Sequence, residues 1–314
     1  MVKDEKRTTM FTSAFKAYTP DQISEILEKD GFFIIPSAID TDYVDEACKE
    51  LQWKIGFNTN DVGATYTKSQ FFNNILTSSK MMYDIVTAEE ILDICEAKFG
   101  SVFRLRLSRY YETYDSNKMR WHSDDISTPD PVTSSNSLIF MVYMGDTYDG
   151  ELQLIRNSQL WKREGSYLGY EDKFIRDNHQ DDIVTLSMPK GSLMLYDARV
   201  VHRAKSFENK RNYRQTILFH VDKGTRTSNK ILANTAFMTT MNERLGMYLG
   251  FGMPSEAPYP VTSHLNLPMR ELLKVQIAIL TSILLTPVYK LSRILTDKHR
   301  RIIREFISSR TSKG

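Results

Sequence analysis

Hydrophobic positions along the chain change their period near residue 100. Upstream they recur at helical spacing. In "TPDQISEILEKDGFFIIPSAI", Ile23, Ile26 and Leu27 form one apolar stripe. Thr19 suits the N-cap, Pro20 the first helical position, Gln22 completes a capping box, and Gly31 marks the stop. "GFFIIP" then predicts a short buried strand. A second helix is predicted from about Asp42, with Val44, Ala47, Cys48 and Leu51 on one side, and residues 80–98 read as helix too.

From Ser101 the period becomes two. "SVFRLRLSRYY" predicts a strand with Arg104, Arg106 and Ser108 on one face and Phe103, Leu105 and Leu107 on the other. Further strands are predicted at 137–145, 150–158, 182–189, 191–202 and 214–221, several of them separated by turn signals such as "YDG", "PKG" and "ENKRN". Successive strands without crossover helices indicate antiparallel pairing. The expected fold is therefore mainly β with flanking helices (α+β): a double-stranded β-helix, or jelly roll, behind N-terminal helices. The polar segment "WKREGSYLGYEDKFIRDNHQ" reads as a long insertion.

The C-terminal third breaks this pattern. "VQIAILTSILLTPVY", residues 275–289, carries no charge but is interrupted by Pro287. Its length falls short of the about 20 residues a membrane span needs. The preferred expectation for 275–306 is helix packed on the sheet or on a partner subunit, with lipid contact as the less favoured alternative. The expected division is a tail at 1–18, a jelly-roll domain with N-terminal helices at 19–224, and a mostly helical extension at 225–314.

Composition alters this picture little. Of 314 residues 41% are hydrophobic and 25% charged, and the net charge of +2 comes without a long basic run before residue 290, so nucleic acid is not an expected partner. Cys48 and Cys95 both lie in apolar, helix-like surroundings, as reduced buried thiols would. The first 20 residues lack an apolar h-region. The expected location is thus cytoplasmic, with peripheral membrane association as an alternative; oligomeric state is left open.

Candidate chemistry centres on "MRWHSDD", residues 119–125. In a strand His122 and Asp124 point to one side and can share a metal, while Asp125 is out of phase and should point away. A third ligand is required. His202 lies 80 residues on, room for the strands that bring a jelly roll back opposite the first pair. A second His-x-Asp, at His179 and Asp181, sits in the charged run "RDNHQDD" and reads as solvent-exposed. Two histidines and one carboxylate leave coordination positions open, which suits non-heme Fe(II) binding a cosubstrate and O2. A closed zinc site would need a fourth ligand that neither cysteine is placed to give. Twelve positions beyond His202, Arg214 opens a strand with Thr216 on its face. A guanidinium there is suited to a dicarboxylate, although an exposed strand-start arginine is the plainer alternative.

The order "WHSD", "GELQLIRNSQLW" and "PKGSLMLYDARVVHRAKSFENKRNYRQTILFHV", after the opening "DGFFIIPSAI", resembles the phytanoyl-CoA hydroxylase-like (PhyH-like) Fe(II)/2-oxoglutarate dioxygenases over roughly residues 20–222. Where that family has an "IPGSH"-like turn this chain has "IRNSQ". The resemblance implies that His122, Asp124 and His202 bind Fe(II), and that Arg214, helped by Thr216, holds the far carboxylate of 2-oxoglutarate. Tyr110 and Arg109, on the strand before the motif, are candidates for lining the cosubstrate pocket, with ordinary strand-surface roles as the alternative. Arg120, Trp121 and Asp125 flank the ligands on the substrate side, unless Trp121 is simply core. With Asp124 present, no position is vacant for a halide.

The implied function is an oxygenase that uses O2 and 2-oxoglutarate to oxidise an unactivated C–H bond of a small molecule, by hydroxylation, desaturation or oxidative cyclisation. Arg104, Arg106, Arg109 and Arg120 would suit a carboxylate-bearing substrate, such as an amino-acid derivative of specialised metabolism, with solvent-facing strand arginines as the alternative. Alternatives are a lipid or acyl-CoA hydroxylase held at a membrane by the C-terminal helix, a zinc or manganese cupin-like enzyme, and a non-catalytic jelly-roll binding module.

Overall fold

The computed structural model describes residues 10–55, 68–73, 75–114, 118–124, 137–161, 170–224, 231–239 and 241–251, together with Ile277, Leu280 and Thr281. The chain divides into two compact units, Met1–Glu256 and Ala257–Gly314. In the second, the three described residues are helical, and Thr281 donates from its hydroxyl to the Ile277 carbonyl at 2.7 Å. The remainder of 275–306, like Asp125, lies outside the described residues. Among the described residues no helix is long and apolar enough to cross a membrane.

The N-terminal part of the first unit is helical. Helix α1 spans Ser13–Lys16, α2 Pro20–Asp30, α3 Thr41–Ile55, α4 Lys80–Val86 and α5 Glu89–Phe99. The capping box of α2 is complete: Gln22 N–H donates to the Thr19 hydroxyl at 3.2 Å and Thr19 N–H to the Gln22 side chain at 2.9 Å. Gly31, at φ 84°, ends it. The single helix expected over 80–98 is two, because α4 stops at Thr87 and Ala88 restarts the chain in an extended conformation.

Among the described residues there are nine strands, β2 being unpredicted: β1 Phe32–Ile35, β2 Lys68–Asn73, β3 Phe103–Tyr114, β4 Ser137–Tyr143, β5 Thr147–Ile155, β6 Ile183–Met188, β7 Leu193–Asp197, β8 His202–Ala204 and β9 Tyr213–Lys223. They form two antiparallel sheets, ordered β1-β7-β4-β9-β3-β2 and β6-β5-β8. This is the expected jelly roll. One face of the large sheet, with Leu138, Phe140, Val142, Ile217 and Phe219, packs against the helices. The other, with Ile139, Met141, Tyr143, Met194, Tyr196 and Leu218, packs against Leu152, Leu154 and Leu186 of the small sheet. The second face is the inside of the roll. Helix α6, Asp172–His179, lies in the predicted insertion, and α7, Glu243–Tyr248, packs Tyr248 on Phe103 at 6.0 Å between rings. The first unit therefore continues past the expected boundary at residue 224.

Two local expectations are corrected. The alternation in β3 breaks at a bulge between Leu105 and Leu107. Leu105 pairs with Val221 on the helix side, whereas Leu107 pairs with His220 on the inside and Ser108 turns outward. The predicted strand 191–202 is likewise two. At Asp197 the carboxylate binds Arg199 through its backbone N–H and guanidinium, Val200 N–H returns to the Asp197 carbonyl at 2.8 Å, and the chain crosses to the small sheet.

Candidate active site

His122 and His202 face each other across an isolated backbone bridge, with N–H to carbonyl distances of 3.0 and 2.8 Å. Their rings lie 4.4 Å apart. Asp124 closes the group, Oδ1 being 4.0 Å from His122 Nε2 and Oδ2 3.6 Å from His202 Nε2. All three ligand atoms fall within 4.8 Å of one another, a cluster able to hold a metal ion.

The protonation states suit a metal. His122 Nδ1–H donates to the Arg120 carbonyl at 2.8 Å and His202 Nδ1–H to the Val200 carbonyl at 3.0 Å, which leaves both Nε2 lone pairs facing inward. Burial lowers the His202 pKa below its ordinary value, outweighing the Asp124 carboxylate. Burial raises that of Asp124, but His202, His122 and the Tyr196 hydroxyl together hold the carboxyl below its usual range. A neutral imidazole beside an ionised carboxylate is the state that binds a cation.

Arg214 and Thr216 lie on the inner face of β9, both almost fully buried. Arg214 donates through Nη1 to the Gly150 carbonyl. Gly150 has φ +66°, and a side chain there would meet the Phe207 ring at 2.5 Å, so the residue that anchors Arg214 has little freedom to change. Thr216 is flanked by Tyr111 on β3 and Tyr143 on β4. The Thr216 and Tyr143 hydroxyls and Arg214 Nε are buried without a hydrogen-bond partner. Burial pushes the Tyr143 phenol up, opposed by the nearby Arg214 charge, so it stays a donor. Buried donors left unpaired cost free energy, and together they make an apolar-walled cradle for an anion.

The remaining expected residues separate. Arg109 shares the inner face, opposite Leu218, with its guanidinium 5.8 Å from the Tyr111 ring centre. Tyr110 turns to the helix side, where it donates to Glu112 at 2.6 Å and accepts from Gln215 at 2.8 Å; Tyr111 takes the inner position. Trp121 is core, packed with Ile155, Ile175 and Val201 beneath the Arg203 guanidinium at 4.0 Å. Arg120 is exposed. His179 is not solvated as expected: its ring lies 4.2 Å from that of Trp161 and Nδ1 is 3.2 Å from Asp182, apart from the triad.

Sequence reasoning missed Tyr143 and Tyr196. Tyr196 donates to Asp124 Oδ2 at 2.8 Å, and burial together with that carboxylate pushes its phenol far up. Tyr143 ends the apolar strand "SLIFMVY" and Tyr196 closes the apolar run "LMLY" of β7, where phenylalanine would fill the same space. A hydroxyl in such a place is itself the signal.

The sequence model of the phytanoyl-CoA dioxygenase (PhyH) family matches residues 27–215. That span carries the triad and Arg214. The chain belongs to this family. It is accordingly a non-heme iron, 2-oxoglutarate-dependent dioxygenase, and the donor set fits those cofactors. No curated protein matches the chain in sequence. Among solved structures, one similar fold is the epimerase SnoN in complex with Fe3+, alpha ketoglutarate and nogalamycin RO: 16% identity, TM-score 0.53, 71% of this chain and 90% of that one. The carbocyclase SnoK from nogalamycin biosynthesis has 15% identity and TM-score 0.54 over 68% and 88%. HygX from Streptomyces hygroscopicus, with nickel, 2-oxoglutarate and hygromycin B bound, has 12% identity and TM-score 0.52 over 66% and 88%. At such identities the likeness is one of fold.

Proposed function

We propose that this PhyH-family oxygenase oxidises an unactivated C–H bond of a small, anion-bearing molecule, an amino-acid-derived carboxylate being the preferred class. The observation that carries the reading is a 2-His-1-carboxylate cluster, tied to the inner face of the large sheet by the Tyr196–Asp124 hydrogen bond, together with a buried guanidinium and two unpaired hydroxyls on that face. His122, Asp124 and His202 would hold Fe(II). Arg214, with Thr216 and Tyr143, would hold the distal carboxylate of 2-oxoglutarate by charge-assisted hydrogen bonds. When bound, these groups supply C–H oxidation by O2 coupled to conversion of 2-oxoglutarate to succinate and CO2. The chain's part is to orient both partners and keep water from the apolar interior formed by Met141, Leu154, Met194 and Leu218.

Arg104 supports the anionic substrate. It lies at the other end of the inner face from Arg214, paired with Asp222 in the β3–β9 register. Ser137, His220 and Arg106 are all directed at that Asp222, at 2.6, 3.3 and 3.8 Å. Arg104, almost fully buried, donates only from Nη2, to the Gly224 carbonyl at 2.9 Å, and its other two nitrogens have no partner. SnoN and HygX are solved with the small molecules nogalamycin RO and hygromycin B bound, which supports a small-molecule substrate and says nothing of its charge.

Anaerobic titration with Fe(II) and 2-oxoglutarate tests the cofactor reading through the visible charge-transfer band of the complex. A panel of carboxylates, scored for succinate above the uncoupled background, tests the substrate. Absence of the band with intact protein would overturn the enzyme reading and favour a binding module.

A further inference from the structure

Asp124 has weak backbone support. His122 is bridged to His202, but Asp124 itself lies in a bend, outside any strand ladder. Its carboxylate must therefore be aimed by side-chain contacts. The two oxygens differ: Oδ2 accepts the Tyr196 hydroxyl at 2.8 Å and faces His202, whereas Oδ1 faces His122.

Tyr196 is held rigidly. It lies on the inner face of β7, is 1% exposed, pairs with Phe32 and Ile139 in the neighbouring strands, and meets His202 edge-on at 5.1 Å between rings. Phenylalanine would pack equally well there, so the hydroxyl is present for what it bonds. A donor on one carboxylate oxygen draws electron density from it and opposes rotation about the last side-chain bond.

We propose that Tyr196 is a positioning residue of the metal centre: its hydroxyl holds Asp124 as a one-oxygen ligand, occupying Oδ2 and presenting Oδ1 to the metal between the two imidazoles. Two-oxygen chelation by Asp124 would consume a coordination position that the cosubstrate or O2 requires. The inference rests on the iron reading of the triad. It adds to that reading the device that keeps the face open.

The test compares wild type with Tyr196→Phe, both purified metal-free. Metal affinity is read anaerobically for Fe(II) and Co(II) by competition with a chromogenic chelator. Expected is a loss of about 10-fold in affinity for Tyr196→Phe. The charge-transfer band of the Fe(II)–2-oxoglutarate complex should shift, with an unchanged far-ultraviolet circular dichroism spectrum. Equal affinity and an unshifted band would overturn the assignment. A second measurement needs no variant. Infrared difference spectra of wild type on Zn(II) binding should show the wide separation of carboxylate stretches typical of one-oxygen ligation, and a narrow separation would overturn it as well. If wild type binds no metal, the reading of the triad fails first, an outcome distinguishable from a triad that binds normally with or without the Tyr196 hydroxyl.

Discussion

Thr216 and Tyr143 stand directly opposite each other on β9 and β4, both fully buried, and neither hydroxyl has a hydrogen-bond partner. Such a pair is a cost to the cosubstrate-free protein. Thr216→Val and Tyr143→Phe should each leave the thermal midpoint of the free protein unchanged or raised, while weakening 2-oxoglutarate by about fivefold, from a hydrogen bond worth about 1 kcal/mol. Calorimetric titration of the metal-loaded protein measures the second effect and a melting curve the first. A variant that loses stability without losing 2-oxoglutarate affinity would show that the hydroxyl serves the core instead.

Arg214 should matter more, because a buried charged partner is removed. Arg214→Met is expected to weaken 2-oxoglutarate by about 30-fold or more, corresponding to about 2 kcal/mol at the low end for a buried charge pair. Metal binding should survive, since Arg214 is anchored to Gly150 and not to the triad. Unaltered turnover in this variant would favour a metalloenzyme that uses no 2-oxoglutarate.

The triad and the second His-x-Asp motif give opposite expectations. His202→Ala should abolish measurable Fe(II) binding, and chelation of wild type should remove activity that added Fe(II) restores. His179→Ala should keep metal affinity and lose about 1 kcal/mol of stability, because the ring stacks on Trp161 and contacts Phe174. Chelator competition and denaturant melts separate the two variants.

Much of this was legible in the chain, for reasons particular residues show. Strand-like runs located β4 and β9, which are continuously apolar because both of their faces are buried, and β5 and β6, whose apolar residues alternate. The triad was legible because His122 and Asp124 are two residues apart and His202 stands where a sheet can bring it back, although Asp124 lies in a bend and not in the strand that the spacing assumed. What escaped depends on single residues that leave no periodic trace. The bulge near Arg106 reverses the faces of Leu107 and Ser108 without changing the alternation of types. The turn at Asp197–Val200 is hidden by Val200 and Val201, whose apolar side chains read as strand but become buried at a crossing between sheets. Tyr110 and Tyr111 are chemically interchangeable in the sequence, and only the register with Ile217 and Thr216 assigns them to opposite faces.

Asp149 gives a pH-dependent expectation next to the site. Slight burial raises its carboxyl, but the backbone N–H groups of Glu208 and Asn209, at 2.7 and 2.9 Å, and the Asn212 side chain outweigh it and lower the pKa from 3.8. A depressed folded value stabilises above the unfolded pKa, and that stabilisation is lost as pH falls through the folded one. Asp149→Asn should therefore melt below wild type at pH 7, and the two curves should converge as pH falls below about 4. A gap independent of pH would mean that the loop is held by shape and not by the carboxylate's charge.

Arg104 separates an anion subsite from a structural strut. A strut would be satisfied in the free protein, whereas Arg104 leaves two nitrogens unpaired beside an Asp222 already engaged by Ser137, His220 and Arg106. Replacing a buried guanidinium that leaves two nitrogens unpaired by an apolar group of similar length should stabilise by about 1–3 kcal/mol. Arg104→Met should accordingly raise the thermal midpoint of the substrate-free protein, keep the affinity for Fe(II) and 2-oxoglutarate, and keep uncoupled succinate formation. It should lose the preference for a carboxylate substrate over its methyl ester, scored as coupled succinate. A lower midpoint in Arg104→Met would instead assign the guanidinium to holding Gly224 and the end of β9 in place.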